Sequence, residues 1–304
     1  MKINTKKILS TNTLIDSFLI IFMLYVIVIT LYPFLNILAI SFNDSNDTIK
    51  GGITIFPRKI TLQNYEHIFK YASILHALLI SISRTFIGTV LGVLFTGMLA
   101  FTLSREDYRL RKPITIIFVL TMYVAGGLIP EYMLIRKLGL INEFSVYIWP
   151  GLLSAFNIIV IRSFIEGLPM SLQESAKLDG ANDLIIFFRI IFPLCKPVLA
   201  TIGLFIAVGQ WNSWFDTFIY ASGNEQISTL QYEMMKILQN TTAAQGAAQR
   251  ASVEGGTGES LINVISPESI RMAITIVATV PIVVIYPFVQ KYFVKGLTLG
   301  AVKN

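Results

Sequence analysis

The chain has 304 residues, of which 54% are hydrophobic and only 14% are charged. A soluble domain usually carries about 25% charged residues, because its surface needs groups that water solvates. The composition therefore excludes an ordinary soluble enzyme, and the high hydrophobicity excludes a disordered chain. The remaining class is an integral membrane protein. The net charge of +6 fits an excess of Lys and Arg on one side of a membrane, since no nucleic-acid-binding motif accompanies it.

Six segments are apolar and long enough to cross a bilayer as helices, which takes about 20 residues each. We predict an all-α integral membrane protein with a single transmembrane domain over residues 1–304. The predicted helices cover about residues 17–40, 77–103, 114–134, 145–165, 198–221 and 270–293. Three lysines precede the first helix, which is too long for a signal peptide, so its N-terminus is predicted to be cytoplasmic. Six helices then place both termini in the cytoplasm.

Glycines, a proline and a low-complexity stretch add local detail to this arrangement of helices. Gly126, Gly127 and Pro130 interrupt the third one and predict either a hinge or a plain kink. Gly88 and Gly92 form a G-x-x-x-G pattern, which is typical of close helix packing. Residues 222–264 are of low complexity in part, and we predict a flexible loop outside the cell. A single cysteine and two isolated histidines give no pattern of metal ligands, so no metal site is predicted.

The polar stretch of about residues 166–197 indicates two short helices around a glycine. Ser171 and Glu174 have the spacing of a capping box, and Asp179 is a candidate cap for the second helix. Gly180 permits a tight bend between the helices. Small residues near the bend would let another protein approach closely. A short exposed helical hairpin at a membrane face suits docking into a groove of a partner.

At these residues the sequence resembles the EAA loop of ABC importer permeases, E-A-A-x-x-D-G-A-x5-F-x2-I-x-L-P. Ser175 stands in place of one alanine and Phe192 in place of leucine, while the other positions of the motif match. Residues 61–65, 104–105 and 295–303 are similar to the carbohydrate-uptake permeases of the MalG type. Residues 127–130 and 211–215 resemble the branch of that family that includes LplC and YtcP.

The resemblance implies the type I ABC importer permease fold, with six transmembrane helices and a cytoplasmic coupling loop at residues 166–197. It implies import of oligosaccharides across a bacterial inner or cytoplasmic membrane by alternating access. The implied partners are a second permease subunit, two ATPase subunits and an extracytoplasmic solute-binding lipoprotein, besides membrane lipid. The residues implied to couple transport to the ATPase are Glu174, Ser175, Ala176, Asp179, Gly180 and Ala181.

ATP hydrolysis is assigned to the partners because the chain has no phosphate-binding G-x-x-x-x-G-K-[ST] loop. The glycine-rich stretch at residues 255–260 has Glu259 where that loop needs a lysine. We therefore expect no catalytic residue and no cofactor in this chain, with ATP and Mg²⁺ bound by partner subunits.

Polar side chains inside the fifth predicted helix are candidates for lining a translocation path. They are Gln210, Trp211, Asn212, Trp214 and Asp216. Tryptophan also anchors helices at the membrane interface, and Asn or Asp also bonds neighbouring helices, so both alternatives stay open. Arg84 and Glu131 lie near predicted helix ends and are expected at the interface rather than in the path.

Three other functions remain open from the sequence. The same architecture could import another solute, such as a glycerol phosphodiester. A secondary transporter driven by an ion gradient would need a membrane-embedded carboxylate, for which Asp216 is the candidate. A membrane scaffold or sensor would not need the pattern at residues 174–181. Co-purification with an ATPase separates the importers from the last two classes.

Overall fold

The computed structural model describes residues 5–70, 72–240 and 266–301. Within these ranges the chain is helical and contains no named strand. A π-helical turn, Phe187–Ile191, lies inside α9, and short 3-10 turns occur at Phe144–Tyr147 and Glu225–Ile227. The helices in chain order are α1 (Thr5–Ser41), α2 (Ser45–Thr48), α3 (Gln63–Phe69), α4 (Ala72–Ser104), α5 (Arg111–Thr121), α6 (Leu128–Lys137), α7 (Ala155–Glu166), α8 (Ser171–Leu178), α9 (Asp183–Leu194), α10 (Lys196–Asn212), α11 (Phe215–Tyr220), α12 (230–240) and α13 (Pro267–Ala301).

Three continuous helices contain the first, second and sixth predicted spans. Among the described residues, the stretches Ile15–Ser41, Ser73–Ser104 and Glu268–Ile285 are long and apolar enough to cross a bilayer. They belong to α1, α4 and α13. Two further helix pairs pass the same test together, α7 with α8 and α9 with α10, and they bend by 77° and 84°. Counting each pair as one span gives up to five spans in the described part of the chain.

The other three predicted spans are not continuous helices. The predicted interruption of the third span is present, because α5 ends at Thr121 and α6 begins only at Leu128. The fourth, predicted over 145–165, is an α-helix only from Ala155, since Pro150 cannot donate to a helical ladder. The fifth, predicted over 198–221, breaks at Ser213, which has an extended backbone between α10 and α11.

The loop predicted to be flexible over residues 222–264 is partly ordered, and its second part, residues 241–264, lies outside the described residues. Residues 230–240 form α12. Leu230 is buried, and its backbone N–H donates to Ser81 Oγ at 2.8 Å. The hydroxyls of Thr217 and Thr229 bond at 2.8 Å. The first part of the predicted loop therefore contains a helix that buries Leu230 and Met234 and that is joined to α4 by a hydrogen bond.

Contacts group the chain into two compact units, residues 1–71 with 238–279 and residues 72–237 with 280–304, and the single domain stays a prediction. In the first unit, a buried polar network follows α1. Asn43 Oδ1 accepts hydrogen bonds from the backbone N–H groups of Arg58 at 2.8 Å and Lys59 at 2.9 Å. Hydrogen bonds from Asn43 and Arg58 hold the pKa of Asp47 below its ordinary value. This polar segment is therefore a folded structure.

In the second unit, α4 packs closely against α10 along a stripe of glycines. A Cβ atom added at Gly88 would lie 2.9 Å from Gln210 Nε2, and one added at Gly92 would lie 3.1 Å from Ile206. The close packing predicted from the G-x-x-x-G pattern is thus confirmed. Buried apolar side chains of α4, α7, α9 and α10 form a core beside this contact, among them Ala100, Phe101, Ile158, Ile161, Ile165, Ile186, Phe187, Ile191, Leu199 and Ile202.

Candidate functional site

The predicted coupling residues lie on α8 and on the turn after it. Met170 occupies the N-cap of α8 without a side-chain hydrogen bond, and Ser171 is already helical. The predicted capping box is therefore wrong, because the helix begins one residue too early for Ser171 to cap it. Gln173 and Ala176 are buried, whereas Glu174 and Ser175 are exposed. The helix thus has one face on the core and one face open, and Glu174 is on the open face.

Gly180 ends α8 in the left-handed conformation, with a φ of +77°. The backbone N–H of Gly180 donates to the Lys177 carbonyl at 3.0 Å, and that of Ala181 donates to the Ala176 carbonyl at 2.9 Å. These two bonds and the contact of both alanines with the core define a Schellman C-cap. The predicted bend at Gly180 is confirmed. The prediction that Asp179 caps the next helix is wrong, because Asn182 is the N-cap and accepts the hydrogen bond from the Ile185 N–H at 2.9 Å.

Replacing Gly180 with alanine is expected to destabilise this turn by about 1–2 kcal/mol, because an L-residue in the left-handed region places Cβ against the next carbonyl. A thermal melt of the purified protein measures the change. Gly209→Ala is the matched control, since a Cβ there meets nothing within 4 Å. Equal melting temperatures for the two variants would contradict the assignment.

Arg105 is the centre of a charged cluster that joins the end of α4 to α8 and α9. We call the group of Arg105, Asp107, Lys177 and Asp183 the Arg105 cluster. Arg105 donates from Nε to Asp107 Oδ1 at 3.0 Å, from Nη2 to Asp107 Oδ2 at 2.6 Å, and from Nη1 to Asp183. Lys177 Nζ lies 3.4 Å from Asp107 Oδ2. The sequence analysis gave Arg105 no role.

The electrostatics of the Arg105 cluster favour the charged forms. Hydrogen bonding from the Arg105 guanidinium lowers the pKa of Asp107 below its ordinary value, with a smaller contribution from Lys177. Since the folded pKa is the lower one, this attraction is complete above the ordinary aspartate pKa of about 3.9 and is lost as the pH falls below it. The cluster is therefore intact at any physiological pH.

A polar cavity of about 520 Å³ lies in the second unit. This volume is within the range of about 300–1,000 Å³ that is typical of ligand pockets. Its polar side chains come from α4, α6, α7, α10 and α11 and from the turn at Phe144–Tyr147. The lining residues are Arg84, Glu131, Val146, Tyr147, Pro150, Gly151, Phe156, Asn157, Phe205, Ile206, Gly209, Gln210, Ser213, Asp216 and Tyr220.

Arg84 is buried in the wall of this cavity, with a side chain that is 2% exposed. Its Nη1 and Nη2 atoms lie 3.2 and 2.5 Å from the two carboxylate oxygens of Asp216, and its Nε donates to Gln210 Oε1 at 3.0 Å. The guanidinium carbon lies 4.4 Å from the ring centroid of Tyr147. Arg84, which was expected at the interface rather than in the path, thus lines the cavity, and a bidentate partner compensates its burial.

Two of the five predicted path residues, Gln210 and Asp216, line the cavity, and three do not. Trp211 is buried against a separate apolar groove formed with α4 and α13. Asn212 is exposed, and the ring of Trp214 contacts the rings of Phe215 at 5.7 Å and Phe218 at 6.2 Å. The pairing of Arg84 with Asp216 was not predicted from the sequence. The signal for it was that Arg84 is the single Lys or Arg of the second predicted span and Asp216 the single carboxylate of the fifth.

The predicted hinge residues lie at the break between α5 and α6. Gly127 is the N-cap of α6 with a φ of +87°, and Pro130 lies in the first turn of that helix. A Cβ at Gly126 would meet nothing within 4 Å. A broken helix is thus present, while movement about it stays a prediction.

Comparison with known proteins gives full-length similarities. The chain is 35% identical to the polygalacturonan/rhamnogalacturonan transport system permease protein YtcP of Bacillus subtilis, over 96% of this chain and 99% of YtcP. It is 34% identical to protein LplC of the same species, over 91% of this chain and 90% of LplC. A crystal structure of a bacterial ABC transporter involved in the import of the acidic polysaccharide alginate matches with a TM-score of 0.79 and 27% identity, covering 96% of this chain and 99% of that one. No model of a known protein family matches.

Proposed function

The chain belongs to the sugar-transporting permeases of ABC importers, in the branch that contains YtcP and LplC, and from this membership we propose that it is the permease subunit of an ATP-driven oligosaccharide importer. Its fold is that of an all-α membrane permease. Relatives are named for both acidic polymers and arabinooligosaccharides, so the kinship supports a carbohydrate without fixing its charge.

The open face of α8 is the observation that carries the coupling part of the proposal. Glu174 and Ser175 are exposed on this face, and Leu178 at its end is 89% exposed. An exposed leucine beside a carboxylate on a rigidly capped helix is typical of a surface that another protein covers. The proposed occupant is a cleft of an ATPase subunit. In this arrangement ATP and Mg²⁺ are bound by the partner, and this chain holds no cofactor.

The polar cavity is the proposed part of the translocation path. It combines amide and hydroxyl groups with the rings of Phe156 and Phe205, which suits a sugar with polar edges and apolar faces. Alternating access requires helices that change their packing, and the break between α5 and α6 at Gly126 and Gly127 is a place where this is possible. A second permease subunit and an external solute-binding lipoprotein complete the proposed importer in the bacterial cell membrane, with both termini of this chain in the cytoplasm.

The test of the coupling role is the variant Glu174→Ala in the complete importer. We expect transport and sugar-stimulated ATP hydrolysis to fall about tenfold, because truncating a charged residue at the centre of an interface typically costs 1–2 kcal/mol or more. Reconstituted vesicles report uptake, and co-purification reports binding of the ATPase.

The matched control is Glu225→Ala, which removes an exposed glutamate that is not on α8. It should leave association and uptake as they are in the parent protein. Full association and full transport in Glu174→Ala would remove the basis for placing α8 in the ATPase cleft.

A further inference from the structure

The charged groups that face the polar cavity are the starting point. Among the lining residues, those with a formal charge are Arg84, Glu131 and Asp216. Arg84 and Asp216 neutralise each other through the bidentate pair. Glu131 is exposed at the start of α6 and has no cation partner within salt-bridge distance among the described residues. The cavity wall therefore carries one net negative charge.

Hydrogen bonds within the protein engage four of the five N–H donors of Arg84, which leaves one N–H of Nη2 for a ligand. Its Nε–H is bonded to Gln210, its two terminal nitrogens are bonded to Asp216, and Nη1 also lies 3.4 Å from the Ser213 carbonyl. Gln210 is held in turn, since its Nε2 donates to the Tyr147 carbonyl at 3.1 Å. A carboxylate that bound Arg84 through two nitrogens would therefore have to displace Asp216, which would then be left without its cation.

The remaining polar groups of the wall are uncharged and suit hydroxyl groups. Asn157 and Ser213 offer an amide and a hydroxyl, and the Tyr220 phenol, whose O–H interacts with the Glu131 carboxylate, offers an acceptor oxygen. Phe156 and Phe205 present half-exposed rings on which the apolar face of a sugar can lie. This combination suits a polyol that carries no charge.

We propose that this cavity is a subsite for an uncharged oligosaccharide, and that Glu131 is a specificity residue that disfavours sugars bearing carboxylates. The inference rests on the proposed function and deepens it by naming the charge class of the sugar. It concerns this chain's share of the path, and it holds whichever partner permease forms the other part.

The test compares two probes of equal length and linkage, a trimer of α-1,4-galacturonate and its carboxyl-reduced counterpart, α-1,4-galactotriose. Equilibrium binding of each is measured on the complete importer in nanodiscs without the external binding protein. The parent importer should bind the neutral trimer more tightly. In Glu131→Gln the ratio of uronate affinity to neutral affinity should rise about threefold, because an exposed charge acts through solvent.

The control is Glu143→Gln, an exposed glutamate that does not line the cavity, and it should leave the ratio unchanged. A parent importer that binds the uronate as tightly as the neutral trimer, or binds neither, overturns the proposal, and so does a ratio that stays constant in Glu131→Gln. If that variant does not assemble, the comparison in the parent importer decides alone. The coupling assay on Glu174 is independent, so the proposed function can stand while this inference fails.

Discussion

Replacing Arg84 with methionine is expected to lower the stability of the folded protein by about 3 kcal/mol, because it leaves the Asp216 carboxylate without its cation in the cavity wall. This value is at the lower end of the stability losses that follow when one partner of a buried ion pair is removed. The Asp216 side chain is 23% exposed, so water screens part of its charge. Loss of the hydrogen bond to Gln210 adds in the same direction. Thermal denaturation of the detergent-purified chain, followed by the loss of the monodisperse species, measures the effect.

The double variant Arg84→Met with Asp216→Leu is the decisive comparison. Removing both charges leaves no uncompensated group, so much of the lost stability should return. Arg189→Met is the matched control, because Arg189 is exposed. A single variant that melts like the parent protein would show that the pair adds nothing, and a double variant worse than the single one would assign the loss to packing.

The turn after α8 could be predicted from sequence to the residue, because its cause is local. A glycine after a short helix needs no distant partner to adopt a positive φ, and Gly180 does so. The caps were less predictable. Asp179 and Asn182 are both residues that cap helices well, and the position of Gly180 within the C-cap decides between them by placing Asp179 at the end of α8.

The continuity of the spans and the composition of the site depended on information that a linear pattern does not hold. Hydrophobicity identifies where a membrane segment lies, but Ser213 ends α10 inside an apolar stretch by adopting an extended backbone. Arg84 and Asp216 are 132 positions apart, and only the packing of α4 against α10 and α11 brings them together. The ion pair of Arg84 with Asp216 in the cavity wall could therefore not be read from either span alone.

Replacing Arg105 with alanine is expected to reduce sugar-stimulated ATP hydrolysis and uptake by the complete importer about tenfold. The Arg105 side chain is 10% exposed and bonds both Asp107 and Asp183. Its loss leaves these two carboxylates without the cation that they share, and Lys177 of α8, which contacts Asp107, is then the remaining cation of the Arg105 cluster. Hydrogen bonds to charged groups contribute roughly 1.5–3 kcal/mol, and because both acids are more than half exposed we expect about 1.4 kcal/mol here, which is about tenfold.

The lysine variant separates the geometry of Arg105 from its charge. Arg105→Lys keeps the cation but cannot bond Asp107 through two nitrogens while reaching Asp183 with a third, so its activity should lie between those of the parent and Arg105→Ala. Arg109→Ala, in the same loop, is the control, since Arg109 is exposed. Because α4 ends at Ser104, next to Arg105, and carries Arg84 in the cavity wall, a tie between α8 and α4 would connect the proposed ATPase surface to the proposed sugar site through one helix. Parent-like coupling in Arg105→Ala would exclude this route, and α8 would then act on the cavity through its own apolar contacts with the core.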